Sequence, residues 1–405
     1  MLTFKYTARD SASGQKINSE IQAESEKSAA KLIQAQGFAP LNIQLKEGQE
    51  GGLRGLLHRI PTKEKVIFSR QLSTLINAGL PLIQSLRLVA GQLTNKPLKI
   101  IVNSVINEVE AGSTLAEAMA KHPKAFNGLY ISLIASGEAS GTLDVALERL
   151  AHQQEKDAEI VSKIRGAMVY PIIVLSVMAA VVIFMLSTVL PQVQELYKGL
   201  PDAHLPFVTN VLLAVGNIIN HFWWLAVIVV GTATFTLFNW VRTPKGRRAI
   251  DTLKMRVWPL GPLFMKLYMA RFARTGTTLV GSGVPLLQML SVTASAIGNV
   301  RVAESITSAS EKVKGGKSLS EGLAGDPNFL ELVPNMIHIG EQSGSLESML
   351  SKTADYYEHE VDNQIKTIST IVEPVLMIAM GIMALFIAAA VLLPIYSLAG
   401  KTIIR

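Results

Sequence analysis

The residues best placed for chemistry sit in two matched turns, Gly137-Glu138-Ala139-Ser140-Gly141 and Gly340-Glu341-Gln342-Ser343-Gly344. In each, a glycine-rich turn either presents one carboxylate to a partner or a cation, or uses it to cap the next helix and favour its dipole. Arg70 and Arg274 are the matching cations, each inside an apolar-faced helix. A charge near a bundle core needs a partner. Each arginine therefore reaches out to another protein or pairs internally with an acid such as Glu138. Gln84 and Gln288 suit helix–helix hydrogen bonding better than ligand binding. Glu148 and His152 stand one helical turn apart and form either a divalent-ion site or a solvated pair. Glu373, just before Pro374, is an acid at the border of an apolar run; an acid inside a membrane is a functional candidate by default, and the position of Glu373 at the interface weakens that reading.

No catalytic set accompanies these residues. Gly315-Gly316-Lys317-Ser318 has the ending of a phosphate-binding loop but lacks the upstream glycine. H-E-x-x-H and G-x-S-x-G do not occur, and the 7 histidines do not cluster. With 0 cysteines, disulfides, thiol catalysis, zinc ribbons and iron–sulfur clusters are excluded. The expectation is a protein without catalytic residue, cofactor or metal. The net charge of +7 comes largely from one basic cluster beside an apolar run, which fits anionic lipid heads rather than nucleic acid. Residues 1–30 are polar and charged, so no cleavable signal peptide is expected.

The elements that position these residues occur twice. Residues 68–90 recur as 272–294 at an offset of 204, with 10 identities in 23 positions. Gly112, Leu115, Glu117 and Pro123 meet Gly316, Leu319, Glu321 and Pro327 at the same offset. One deletion later, the two Glu-bearing turns match at 203. Such repetition fixes the architecture before propensity is consulted. Each copy opens with a helix; in the first, Thr62 caps it and Phe68, Leu72, Leu75 and Ile76 share one face. It stops where Gly79 takes the left-handed position and Pro81 blocks continuation; Gly283 and Pro285 repeat the stop. Thr114-x-x-Glu117 and Ser318-x-x-Glu321 read as capping boxes. After each Glu turn, a long polar helix runs on into an apolar stretch.

Residues 166–194, 222–241 and 374–400 carry no charge, and each is long enough to cross a bilayer. Phe222, Trp223, Trp224 and Trp240 edge the middle one like an interfacial belt. Lys163 and Arg165 precede the first span, and Arg242, Lys245, Arg247, Arg248, Lys254 and Arg256 follow the second. By the positive-inside bias, both repeated domains and the N-terminus lie in the cytoplasm, and the intervening loop and C-terminus outside. At the N-terminus, LTFKYTA and GQKINSEIQA read as strands, a helix runs from a Ser25 cap to Gln36 before Gly37, and LNIQL is a third strand.

The pattern of Phe68, Arg70, Leu72, Leu75, Ala78, Gly79, Pro81 and Leu82 resembles the type II secretion system F-protein family. So do the Glu turns, the duplication, the three spans and the start Phe4-x-Tyr6-x-Ala8. Copy two departs at Gly276 and Ser282, where copy one has Leu72 and Ala78. The resemblance implies a mainly α, polytopic bacterial inner-membrane platform protein of a type IV pilus or type II secretion machine. Its expected partners are a hexameric secretion ATPase, pilins or pseudopilins, alignment proteins, membrane lipids and further copies of itself. The expected organisation is an α+β segment (1–47), a linker (48–60), cytoplasmic helical domains (61–167 and 242–370), transmembrane helices (168–192, 222–241 and 371–397), a periplasmic loop (193–221) and a tail (398–405). An oligomeric channel or transporter subunit is the alternative; sparse intramembrane charge and no broken-helix pair weigh against it.

Overall fold

The protein is described here by a computed structural model that defines residues 2–10, 16–23, 26–35, 37–45, 60–189, 191–192, 195, 224, 228–229, 231–241 and 243–402. The expected linker and the expected loop lie almost wholly outside these residues, as does the end of the tail. The chain divides into two units, Met1–Ile60 and Pro61–Arg405.

The first unit is a three-stranded antiparallel sheet in the order β2-β1-β3, with β1 Leu2–Asp10, β2 Lys16–Ala23 and β3 Phe38–Leu45. Helix α1, Glu26–Ala35, connects β2 to β3. Strand alternation puts Tyr6 and Ala8 on one face, where they bury against Ile33 of α1, with Phe38 packed alongside. Gly37 turns the chain between α1 and β3 at φ 83.

The second unit contains the two repeats. The first comprises α2 Thr62–Asn77, α3 Leu82–Gln92, α4 Lys96–Glu110, α5 Leu115–Ala120, α6 Gly128–Ser140 and α7 Leu143–Phe184. A π-helical turn, Met185–Val189, follows α7. Helix α8, Pro244–Arg256, then leads into the second repeat. This comprises α9 Leu260–Gly281, α10 Leu286–Ala296, α11 Val300–Lys314, α12 Leu319–Leu323, α13 Leu332–Ser343 and α14 Leu346–Thr402. Equivalent repeat positions fill the two cores: Phe68 and Phe272, Leu115 and Leu319, Ile134 and Ile337, Leu147 and Leu350 are all buried. Each such side chain contributes about 1.5–3 kcal/mol by leaving water.

Helices α7 and α14 are each unbroken from bundle to apolar run, and both are long and apolar enough to cross a membrane. Pro171 and Pro374 lie inside them at one repeat position. Proline is tolerated in membrane helices where neighbouring groups satisfy the freed carbonyl. Of the expected middle span, 231–241 is helical, with Phe235, Leu237, Phe238 and Trp240 exposed, whereas most of its first half lies outside the described residues.

One local expectation changes. Thr62 is the first residue of α2 rather than its cap; Pro61 occupies that position without a side-chain hydrogen bond. Proline's fixed φ suits a helix start.

Candidate functional site: matched polar turns and the seam between repeats

Each Glu turn closes a circuit of hydrogen bonds around a short helix. The first N–H groups of any helix have no partner within it. At α5, Leu115 N–H donates to Glu138 Oε1 at 2.6 Å and Ala116 N–H to Glu138 Oε2 at 2.9 Å. Glu117 N–H donates to Thr114 Oγ1 at 3.1 Å, and Thr114 N–H returns to the Glu117 carboxylate at 3.2 Å. Two carboxylates and one hydroxyl thus satisfy four backbone donors. Copy two repeats the device: Glu341 accepts from Leu319 N–H at 2.6 Å, Ser320 N–H at 3.3 Å and Ser320 Oγ at 2.6 Å. Ser318 Oγ accepts from Glu321 N–H at 3.2 Å, but Ser318 N–H does not bond the Glu321 carboxylate, so only half of the expected second capping box forms. The glutamates therefore cap the short helix before the turn, not the helix after it. Its N–H groups are already aligned toward them, and the dipole favours the charge.

The flanking glycines have separate duties. Gly141 and Gly344 end α6 and α13 at φ 71 and φ 67, a left-handed conformation that other residues adopt at a cost. A Cβ on Gly137 would lie 2.5 Å from Ala146 Cβ, and one on Gly340 would lie 2.9 Å from Leu346 Cα. Those glycines let the long helix fold back tightly against its predecessor.

Replacing Glu138 with alanine is expected to strip two N–H groups of their acceptor and cost about 1–3 kcal/mol. Glu341→Ala should cost a similar amount. Since the sites are in separate bundles, the double variant should show nearly additive loss. Chemical unfolding of the detergent-solubilised full chain measures this. Stability unchanged in both single variants would remove the capping role.

The arginines pair with the long helices rather than with Glu138. Arg70 Nε donates to Glu155 Oε1 at 2.6 Å and Nη1 to Glu148 Oε1 at 2.7 Å. Glu148 also accepts from Ser73 Oγ at 2.7 Å and Asn77 Nδ2 at 3.2 Å. Ser73, then Arg70, hold the Glu148 carboxyl below its usual range, and Arg70 does the same for Glu155. In copy two, Arg274 Nε donates to Glu358 at 2.7 Å and Nη2 to Asp355 at 2.5 Å. Burial works against the Arg274 charge, but these two acids raise its pKa above the ordinary value.

The two repeats meet along a seam. Ile160 of α7, Leu263 and Leu267 of α9 and Val361 of α14 form one buried cluster, extended by Ile164, Phe264, Ile365 and Ile368. Lys163 Nζ bonds Asp362 at 2.6 Å across it, and Arg149 lies 3.5 Å from Glu347. Ser136 of α6 donates to the Ser282 carbonyl at 2.6 Å, joining a Glu-turn helix of one repeat to the Gly283–Pro285 stop of the other.

This duplicated construction, with both long helices leaving the seam as apolar spans, coincides with the family matches. Residues 68–191 and 272–394 each match the family described as Type II secretion system (T2SS), protein F, and residues 1–44 match its N-terminal domain. The chain belongs to the type II secretion system protein F family.

A "Type IV pilus assembly protein PilC" of Thermus thermophilus is 37% identical over 405 residues, covering 99% of both chains. A protein of the same name from Pseudomonas aeruginosa is 34% identical over 368 residues, 90% of this chain and 97% of that one. A "Type II secretion system protein F" of Xanthomonas campestris is 31% identical over 402 residues, 98% of this chain and 99% of that one. The family is one of membrane platform proteins, and with α7 and α14 it marks this chain as an inner-membrane protein.

The structure brings Arg70 to Glu148, and Glu138 to α5. It keeps Arg70 apart from Glu138. Gly79 and Pro81 form the turn between α2 and α3, and Gly283 and Pro285 the turn between α9 and α10; both glycines have positive φ, 82 and 75. Glu373 is exposed on α14, away from these clusters. Sequence reasoning missed Glu155 and Glu358 as arginine partners. The signal was available: they occupy one repeat position, 203 apart, as Arg70 and Arg274 do at 204.

Proposed function

We propose that this chain is a non-enzymatic platform that couples a cytoplasmic hexameric secretion ATPase to assembly of a pilin or pseudopilin filament. The continuity of α7 and α14 from bundle to span carries this reading, because a movement imposed on either bundle has a rigid path into the bilayer. The names of the relatives supply the machine, pilus assembly or type II secretion. In this reading both bundles and the N-terminus face the cytoplasm, where the basic stretch after residue 241 is retained. The C-terminus is periplasmic, copies of the chain associate beneath the filament, and alignment proteins flank them.

The test is binding of the full chain in nanodiscs to the secretion ATPase encoded beside it, with ADP, with a non-hydrolysable ATP analogue and without nucleotide. The expected result is binding that differs between nucleotide states. Binding absent in all three states, with the ATPase shown to be hexameric, would overturn direct coupling.

A further inference from the structure

Helix α8 ends in an apolar corner. Trp258 is 73% exposed, Leu253 59%, Val257 42% and Leu260 41%. Behind the corner lies a cleft of about 400 Å³ lined by Met255, Arg256, Trp258, Pro262, Met265 and Leu330. That volume is in the range of small-ligand sites. The cleft is preformed, because Gly261 lets α9 press on the end of α8: a Cβ there would lie 2.6 Å from the Met255 carbonyl oxygen.

The depth of this corner follows from packing. Gly276 lies against Leu350, Arg274 bonds Asp355 and Glu358, and Lys266 bonds Glu360 and Gln364, so α9 runs antiparallel to α14. Extending that register past the cluster of Leu263 with Ile164 and Ile368 places Leu260 level with about residue 368 of α14 and about residue 167 of α7. The uncharged runs begin just after Glu373 and Arg165. Trp258 therefore lies within about one helical turn of the point where both helices enter the apolar layer. At its other end, α8 follows the exposed apolar helix 231–241 through Thr243, whose hydroxyl donates to the Trp240 carbonyl at 2.6 Å and accepts from Gly246 N–H at 3.1 Å. With 231–241 read as the end of the middle span, both ends of α8 meet the membrane surface.

The charges at the corner suit an anion. Lys254 is taken by Asp251 at 3.3 Å and Lys266 by Glu360 at 2.8 Å. Among the described residues Arg256 has no ion pair, and its side chain is exposed at the mouth of the cleft. Tryptophan beside arginine over an apolar cleft matches a phospholipid, with its ring at headgroup level and a guanidinium able to grip phosphate in two places.

We infer that the corner between α8 and α9 is a binding site for an anionic phospholipid of the surrounding bilayer. Its phosphate rests on Arg256 at the cleft, and its acyl chains pass Trp258 into the bilayer. The site anchors the second repeat to the membrane at a point separate from the spans. It requires only a bilayer around α7 and α14, whatever motor acts on the protein.

The test uses the full chain with Trp223, Trp224 and Trp240 replaced by phenylalanine, so that Trp258 alone emits. This variant is reconstituted in nanodiscs containing bromine-labelled phosphatidylglycerol or an equal fraction of bromine-labelled phosphatidylcholine. The expected result is quenching of Trp258 by both lipids, with a preference for the anionic lipid that Arg256→Gln lowers about fivefold, the effect of one cation near an anionic surface. Excess inorganic phosphate should leave the preference intact. Absent quenching would mean that the corner faces away from lipid, and equal quenching by the two lipids would remove the headgroup site. Loss of the preference on adding inorganic phosphate would assign the cleft to a free anion; each of these results overturns the proposal. Should the triple variant not fold, Trp258→Phe in the otherwise unaltered chain gives the same reading by the quenching it removes.

Discussion

Arg274→Met is expected to destabilise the second repeat by about 3–5 kcal/mol, the usual cost of stranding one member of a buried ion pair. The Arg274 side chain is 11% exposed and its partner Glu358 15%. Removing the guanidinium leaves the Glu358 carboxylate with little water and no counter-charge. Arg70→Met, at the same repeat position, should cost only about 1 kcal/mol, because exposed pairs are worth little. There the arginine is 33% exposed and Glu155 38%, so water replaces what is lost. A second substitution sharpens the comparison. With Arg274→Met in place, Glu358→Leu should recover most of the loss, since two apolar groups of similar volume can replace a buried pair. Thermal and chemical unfolding of the full chain in one detergent provides the readout. Equal losses at Arg70 and Arg274, or no recovery in the double variant, would refute a buried pair in copy two.

The contrast between these arginines shows how far the sequence reaches. Their equivalence is plain from the repeat. Their partners are not, because Arg70 bonds residues 78 and 85 positions away and no local rule spans such a separation. Only one partner is shared by the copies. Glu155 matches Glu358, whereas Glu148 matches Ser351, and Asp355 matches His152. The second acid has changed place along the long helix by about one turn, and each copy still surrounds its arginine with two carboxylates.

The Glu turns divide in the same way. Gly141 and Gly344 were legible because a left-handed helix end selects glycine from local sterics alone. Glu138 was legible as a cap but not as the cap of α5, whose start lies 23 positions earlier. The departure of copy two from copy one also has a packing cause that no propensity contains. Leu72 is fully buried, and at the matching Gly276 a Cβ would lie 3.1 Å from Leu350 Cδ1. In copy two the glycine lets Leu350 of the long helix come close to the backbone of the first helix.

Inserting two alanines between Arg165 and Gly166 is expected to abolish filament assembly or secretion while leaving the bundles folded. The cluster of Ile160, Ile164, Leu263, Leu267 and Val361 and the Lys163–Asp362 bond all precede the insertion point on α7, so the seam is untouched. The span beyond it turns by about 200° relative to the bundle and moves out by about 3 Å. Faces of α7 that met one neighbour in the membrane then meet another. Four inserted alanines displace the span further, by about 6 Å, but bring it back to within about 40° of its original facing. The two insertions therefore separate rotation from displacement. If α7 transmits an oriented movement, the four-residue variant retains more assembly than the two-residue variant despite its larger shift. Equal loss would mean that depth in the bilayer is what matters, and full activity in both would mean that α7 is only a tether. The unbroken helix from Leu143 to Phe184 favours the first outcome, because a helix without a break carries torsion and a flexible joint does not.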